Sequence, residues 1–210
     1  MARKQREIRL PRQRRSRLMV SRLLAAAAEL FVERGYDGTT TNHIAERAEA
    51  SIGSLYQFFP NKASMLAALQ VEWTDRLIAE LDAALTGSGG ELPLDALLDQ
   101  VLDIHVRLNQ DPPGILGFLL TAPVGPDQAH VPPQDLIDSR VERLLSLRAV
   151  PMPDERRRTV ALMIGHLISA IYQVEGPVGT DDTKLLAETK QALLAYLTPL
   201  ELRRADPGSS

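Results

Sequence analysis

The chain contains no cysteine, which excludes a disulfide framework, a thiolate nucleophile and any cysteine-based metal site. Aromatic residues make up only 4% of the 210 positions, with a single tryptophan, Trp73. No apolar run approaches the roughly 20 residues needed to cross a bilayer. The basic N-terminal stretch is not followed by an apolar segment, so no secretory leader or membrane partner is expected and the cytoplasm is the expected location. Catalytic signatures are missing as well. There is no G-x-G-x-x-G, no Walker-type loop and no G-x-S-x-G elbow, and His43, His105, His130 and His166 form no i, i+4 ligand pair. No enzymatic activity, cofactor or metal is therefore expected. Nothing alternates with period two, and no repeat of 20–50 residues is found.

What is present is an ordinary globular composition, 44% hydrophobic and 24% charged, with an uneven distribution of charge. Residues 1–62 hold twelve basic and six acidic side chains, whereas residues 63–210 hold twelve basic and twenty-one acidic ones. A basic end on an acidic body suits a polyanion on one side only. Residues 1–15 are rich in Lys and Arg, with one acid and Pro11, and too few apolar groups to offset chain entropy. They are expected to form a flexible basic arm, which either adds phosphate contacts or reaches the minor groove, or is a solvated tail.

From about Ser16 to Arg34 the positions Leu23, Ala26, Ala27, Leu30 and Phe31 follow helical spacing, and Gly35 fits the position that ends such a helix. Next come two short helices. Thr40 suits the N-cap of one running from Thr41 to Ala48, and Ser51 caps another whose Leu55, Phe58 and Phe59 form an apolar face. Pro60 and Asn61 stop it. Two short helices, a tight turn and a capped second helix are the parts of a helix-turn-helix. A long helix then begins at Asn61 or Lys62 and runs to a break at Gly87–Gly90. Beyond it, helical spacing is expected over Leu92–Gln110, Ile115–Thr121, Pro133–Leu147, Asp154–Glu175 and from Asp181 or Asp182 to about Leu197. The fold class expected is all-α: an N-terminal three-helix DNA-binding domain (residues 16–62), a helical-bundle domain (residues 63–202) and a flexible tail (residues 203–210).

At Ala25–Leu66 the chain resembles the TetR family of transcriptional regulators. The resemblance rests on Leu30-Phe31, Gly35-Tyr36, Thr40, Ile44-Ala45, Ala48, Ser51, Gly53, Leu55-Tyr56, Phe59 and Lys62 at fixed spacing. In the turn, Glu49-Ala50 stands where the family usually has Gly followed by a larger aliphatic. Positive φ there costs a residue bearing Cβ about 1–2 kcal/mol. The resemblance implies that Asn42, Ile52, Gly53, Ser54 and Gln57 face base edges, where amides can pair with adenine and Ile can meet a thymine methyl. It implies phosphate or sugar contacts for Thr40, Thr41, Tyr56, Phe58 and Lys62, with Ser51 opening the same surface. A regulator of this kind, most often a repressor, binds a double-stranded DNA operator as a homodimer and is released by a small, apolar effector bound in its body. The alternative from another class is a helical protein-interaction module with non-specific nucleic-acid binding.

Polar residues on otherwise apolar helices mark the expected effector site: His105, Asn109, Phe118, Met163 and His166, with Trp73 as core or pocket lining. For the dimer interface, Ala161, Gly165 and Ser169 fall at i, i+4, i+8, a stripe of small residues that lets another helix approach. Leu162, Ile168, Tyr172, Thr189, Leu193 and Tyr196 flank it on the last two helices. The competing reading is that this stripe packs inside one subunit.

Overall fold

The computed structural model describes residues 12–84, 86, 91–122, 133–148, 152–171 and 182–205. Among them are nine helices and no strand: α1 (Arg12–Gly38), α2 (Thr41–Arg47), α3 (Ile52–Phe58), α4 (Lys62–Ala84), α5 (Leu94–Leu108), α6 (Ile115–Thr121), α7 (Pro133–Leu147), α8 (Asp154–Ala170) and α9 (Asp182–Ala205). They divide into two compact units, Met1–Leu69 and Gln70–Ser210.

In the first unit, Leu23, Ala27, Leu30 and Phe31 of α1, Ile44 and Ala45 of α2 and Leu55 of α3 are all buried, and α2 packs on both α1 and α3. Each large aliphatic or aromatic side chain so buried is worth about 1.5–3 kcal/mol. The unit extends to Leu69 rather than residue 62, because Met65, Leu66 and Leu69 on the first turns of α4 are buried too. Caps set the short helices. Thr40 Oγ accepts from the His43 amide at 3.2 Å, and Ser51 Oγ accepts from the Ser54 amide at 3.1 Å, filling donors that the first turn leaves open. Asn61 Oδ1 accepts from the Ser64 amide at 2.8 Å and starts α4.

Helix α1 begins at Arg12, earlier than the expected boundary at residue 16. Arginine and glutamine are good helix formers, so the arginine-rich stretch continues the helix upstream. Residues 1–11 of the expected arm lie outside the described residues. The regular part of α1 breaks at Gly35, whose φ of 71° and ψ of 172° belong to a region open essentially to glycine alone. Thr39, 1% exposed, ties the break down: its hydroxyl lies 2.9 Å from both the Leu30 and the Gly35 carbonyl oxygens and shares its proton between them.

The second unit is built around Leu98, Leu102, Leu145, Val160, Ile164, Ile168, Leu193 and Leu197. A smaller cluster joins Leu77, Leu81 and Ala84 of α4 to Ile104 and Ile137. Helix α9 continues through Pro199 to Ala205, beyond the expected end near Leu197 and into the expected tail, of which residues 206–210 lie outside the described residues. The small-residue stripe of α8 faces inward. Ala161 is 1% exposed, Ser169 is 4%, and Gly165 is buried. Ile168, Leu193 and Thr189 are buried in the same unit. Small residues let helices of one chain approach as readily as helices of two, and these residues of the expected dimer contact are buried within the single subunit. Tyr172 lies outside the described residues. The solvent side of α8 includes Leu162, His166, Leu167 and Ala170, and that of α9 includes Ala192, Ala195, Tyr196 and Pro199.

Candidate nucleic-acid interface and body cavities

The surface of the first unit is organised by α3. Leu55 points inward with no exposure, and Ser54 and Phe58 are half-buried. At 100° per residue this leaves one outward arc of Ile52, Tyr56, Gly53 and Gln57, all exposed. Gly53 lies in the middle of that arc. A Cβ added to it would come no nearer than 4.0 Å to anything, the Ser51 hydroxyl being the closest atom. Glycine costs an exposed helix interior about 1 kcal/mol relative to alanine, and no described residue comes close enough to require it here. Tyr56, 51% exposed, places its hydroxyl 3.1 Å from Thr41 Oγ at the start of α2. The Ser51 and Ser54 hydroxyls lie 2.8 Å apart. Asn42 and Thr40 are exposed at the beginning of α2. The residues expected to face DNA thus belong to two adjacent, capped helix starts and one outward arc.

The turn between α2 and α3 carries the strain implied by its composition: Glu49 has φ of 48°. Arg22 of α1 braces it, its guanidinium donating to the Ala48 carbonyl and, at 3.4 Å, to the Glu49 carbonyl. Behind the turn Arg47 binds Glu29 at 2.7 Å and Glu33 at 2.9 Å. Its hydrogen bond holds the Glu33 carboxyl below the usual glutamate range, and the two carboxylates push the Arg47 guanidinium higher still. Lys62 is also engaged: its ammonium donates to the Tyr36 carbonyl and sits 4.0 Å from the centre of the Tyr36 ring. Arg14, Arg15 and Arg17, in contrast, are exposed and make no ion pair with any described residue.

In the second unit the six residues expected around an effector do not converge. Asn109 is a structural tie, its Oδ1 accepting from the Leu116 amide at 2.9 Å at the start of α6. His105 is buried on α5, its Nδ1 donating to the Val101 carbonyl at 2.8 Å, and burial lowers its pKa. His166 is exposed, Phe118 is half-buried, and Met163 packs on the main core cluster. Trp73 lines a cavity of about 20 Å³ shared with Gln70, Thr74, Leu77, Leu116, Leu119 and Leu120. A larger cavity of about 50 Å³ is walled by aliphatic side chains, among them Leu81, Leu98, Val141 and Ile164. The charged groups on that wall are paired: Arg148 with Glu201 and the Leu92 carbonyl, and Arg140 with Asp82. Gln70 and Thr74, on the lining shared with Trp73, were not singled out from the sequence. The signal was available, since both interrupt the apolar stripe Leu66, Leu69, Trp73, Leu77, Leu81 of α4.

The family model described as bacterial regulatory proteins, tetR family, matches residues 23–69, and that of the tetracyclin repressor-like C-terminal domain matches residues 93–197. The chain is 39% identical over 77 residues to the HTH-type transcriptional activator FasR of Mycolicibacterium smegmatis, covering 37% of this chain and 33% of that one. It is 31% identical over 68 residues to the HTH-type transcriptional repressor KstR of the same organism, covering 32% and 33%. The aligned stretches therefore span about a third of each of these relatives. Among solved structures, a TetR-family transcriptional regulator from Streptomyces coelicolor is 30% identical with a TM-score of 0.59, covering 87% of this chain and 99% of that one.

Proposed function

The chain belongs to the TetR family of bacterial regulatory proteins, and on that premise we propose that it is a DNA-binding transcriptional regulator whose operator is read by α3. The observation that carries this reading is the outward arc of Ile52, Gly53, Tyr56 and Gln57, with no side chain at its centre. A bare helix surface lets the α3 backbone approach base edges, flanked by an amide that can pair with adenine and an aliphatic group that can meet a thymine methyl. The linked hydroxyls of Thr41 and Tyr56 suit a phosphate or sugar contact that fixes register. Lys62 serves the same surface indirectly as well as by charge, since its ammonium holds Tyr36 in place.

Two copies pair through the outward faces of α8 and α9, where Leu162, Leu167 and Tyr196 are 47%, 39% and 37% exposed. Pairing sets two heads on half-sites about 34–36 Å apart, or a multiple of that. An effector taken into the helical body acts as the release signal, and repression is the mode of action.

The test compares binding of the full chain to the DNA upstream of its own coding sequence with binding to random DNA, for wild type, Gly53→Ala and Gln57→Ala. Gly53→Ala is expected to melt no lower than wild type, because alanine favours helix by about 1 kcal/mol, yet to lose specific affinity by about tenfold or more. Gln57→Ala is expected to relax preference at one base pair, at a cost of about 1–3 kcal/mol. A specific-to-random ratio near one in the wild type would refute the reading in favour of non-specific binding.

A further inference from the structure

The turn that carries the chain from α2 into α3 is gripped by a side chain of α1. Arg22 donates from one guanidinium nitrogen to the Ala48 carbonyl and, at 3.4 Å, to the Glu49 carbonyl. Ala48 is the C-cap of α2, and carbonyls at a helix C-terminus lack partners within the helix and favour a cation. Between α1 and the turn lies an open groove of about 360 Å³, lined by Ala25, Ala26 and Ala48 and by charged side chains. Alanines leave that space open, and polar groups span it: Arg22 to the turn, and Arg47 to Glu29 and Glu33. Arg22, Glu29 and Glu33 fall at i, i+7 and i+11, on one face of α1. The two sets of contacts hold different things. Arg47 fixes α2 itself, whereas Arg22 fixes the backbone just upstream of the Ser51 cap at which α3 starts. The Arg22 side chain is 50% exposed, and contacts so placed contribute little to stability.

We propose that Arg22 is a positioning residue for operator recognition: by gripping the Ala48 and Glu49 carbonyls it sets the angle at which α3 leaves the turn, and so the alignment of Ile52 and Gln57 with base edges. This rests on the reading that α3 reads the operator. Glu49 holds φ of 48°, and a residue kept in so sparsely populated a region stays there only where its surroundings hold it. Arg22 supplies part of that hold. Hydrogen bonds to base edges weaken steeply as their angle departs from linear, whereas attraction to phosphates is independent of sequence. A loosened turn therefore costs specific binding more than random binding. A direct phosphate contact by Arg22 has a different signature, since its loss would weaken both and flatten the salt dependence by about one unit of slope.

Arg22→Met removes the donors and keeps an unbranched stem of similar helix propensity. Affinities of the full chain for the DNA upstream of its own coding sequence and for random DNA are measured across a range of salt, for wild type, Arg22→Met, Arg22→Lys and Glu49→Gln. Arg22→Met is expected to melt close to wild type and to lose about tenfold in specific affinity, the worth of one misaligned base contact. Its affinity for random DNA and the salt slope should not change. Arg22→Lys keeps the charge and one donor nitrogen on a shorter stem, and should lose about threefold in the specific-to-random ratio. Glu49→Gln removes only the Arg22–Glu49 ion pair and should keep the wild-type ratio. Equal loss on both DNAs with a flatter salt slope would make Arg22 a phosphate contact and overturn the inference. So would an unchanged ratio in folded Arg22→Met, or a loss in Glu49→Gln equal to that in Arg22→Met. If Arg22→Met does not fold, Arg22→Lys decides by the same ratio. A wild-type ratio near one removes the operator reading and this inference with it, whereas a wild-type preference that survives in Arg22→Met removes the inference alone.

Discussion

Glu49→Gly is expected to stabilise this protein, although it removes a side chain and an ion pair. Glu49 holds φ of 48° in the turn between α2 and α3, a conformation that costs a residue with a Cβ about 1–2 kcal/mol. Glycine removes that cost but carries more freedom in the unfolded chain, a penalty of about 0.5–1 kcal/mol. The ion pair lost with the carboxylate, Arg22–Glu49 at 3.8 Å, is exposed on both sides and contributes little. The backbone contacts from Arg22 to the Ala48 and Glu49 carbonyls do not involve the replaced side chain. The balance is a gain of about 0.5–1 kcal/mol, a rise of about 2–8 °C in the transition of a unit this size.

Thermal and urea melts of the full chain measure it, with Glu49→Ala as the control that keeps the Cβ and loses the carboxylate. If Glu49→Ala gains as much as Glu49→Gly, the cause is charge and the strain argument fails. A loss of stability in Glu49→Gly refutes it directly. Gly35→Ala is the mirror experiment. Its Cβ would meet nothing within 4 Å, so any loss comes from the backbone at φ of 71° alone, and about 1–3 kcal/mol is expected.

Leu162→Glu combined with Tyr196→Glu is expected to give folded monomers with weakened operator binding, read by analytical ultracentrifugation and circular dichroism. An unchanged dimer would show that the exposed faces of α8 and α9 are not the interface. Arg14→Ala, Arg15→Ala and Arg17→Ala together should lower the slope of log affinity against log salt by about two to three units without altering base preference. They should not destabilise α1, which has no acidic residue in its first turn to offset four arginines at the positive end of its dipole; an unchanged salt slope would remove these arginines from the DNA contact. Burial lowers the pKa of His105, so the unfolded chain takes up a proton that the folded chain resists. Stability should fall as pH drops through the ordinary histidine range, and His105→Gln should flatten that part of a urea-midpoint profile.

Much of the first unit was legible in the sequence because local chemistry decides it. Thr40, Ser51 and Asn61 are capping residues in places where a helix start leaves amides unpaired, and each caps in the structure. Gly35 and Glu49 sit where the chain must take positive φ, and the substitution of Glu for the usual glycine announced a strained turn. The start of α1 was placed late because a charged, apolar-poor stretch reads as arm by composition and as helix by propensity. Propensity prevailed from Arg12 onward. The body was less legible. Six residues were grouped as an effector site because each is polar or bulky on an apolar helix, but such a list contains no information on which of them meet. Asn109 was spent on a cap and His166 faces solvent.

The stripe of Ala161, Gly165 and Ser169 shows where the periodicity of one helix stops being informative. Spacing at i, i+4, i+8 places three residues on one face and says that a helix comes close to it. It does not say whose helix. Burial decides, and all three are buried within one chain. Rotating to the solvent side of α8 finds Leu162 and Leu167, larger groups that the fold leaves partly exposed. A dimer contact has to be made from side chains that are exposed before association, so the apolar residues to test are those that the fold leaves outside. Gly165→Leu then becomes a folding variant: a side chain forced between helices of one subunit should lower stability by about 1–3 kcal/mol while the association constant of the folded fraction stays the same. Sedimentation of that variant as a stable monomer would return the stripe to the interface.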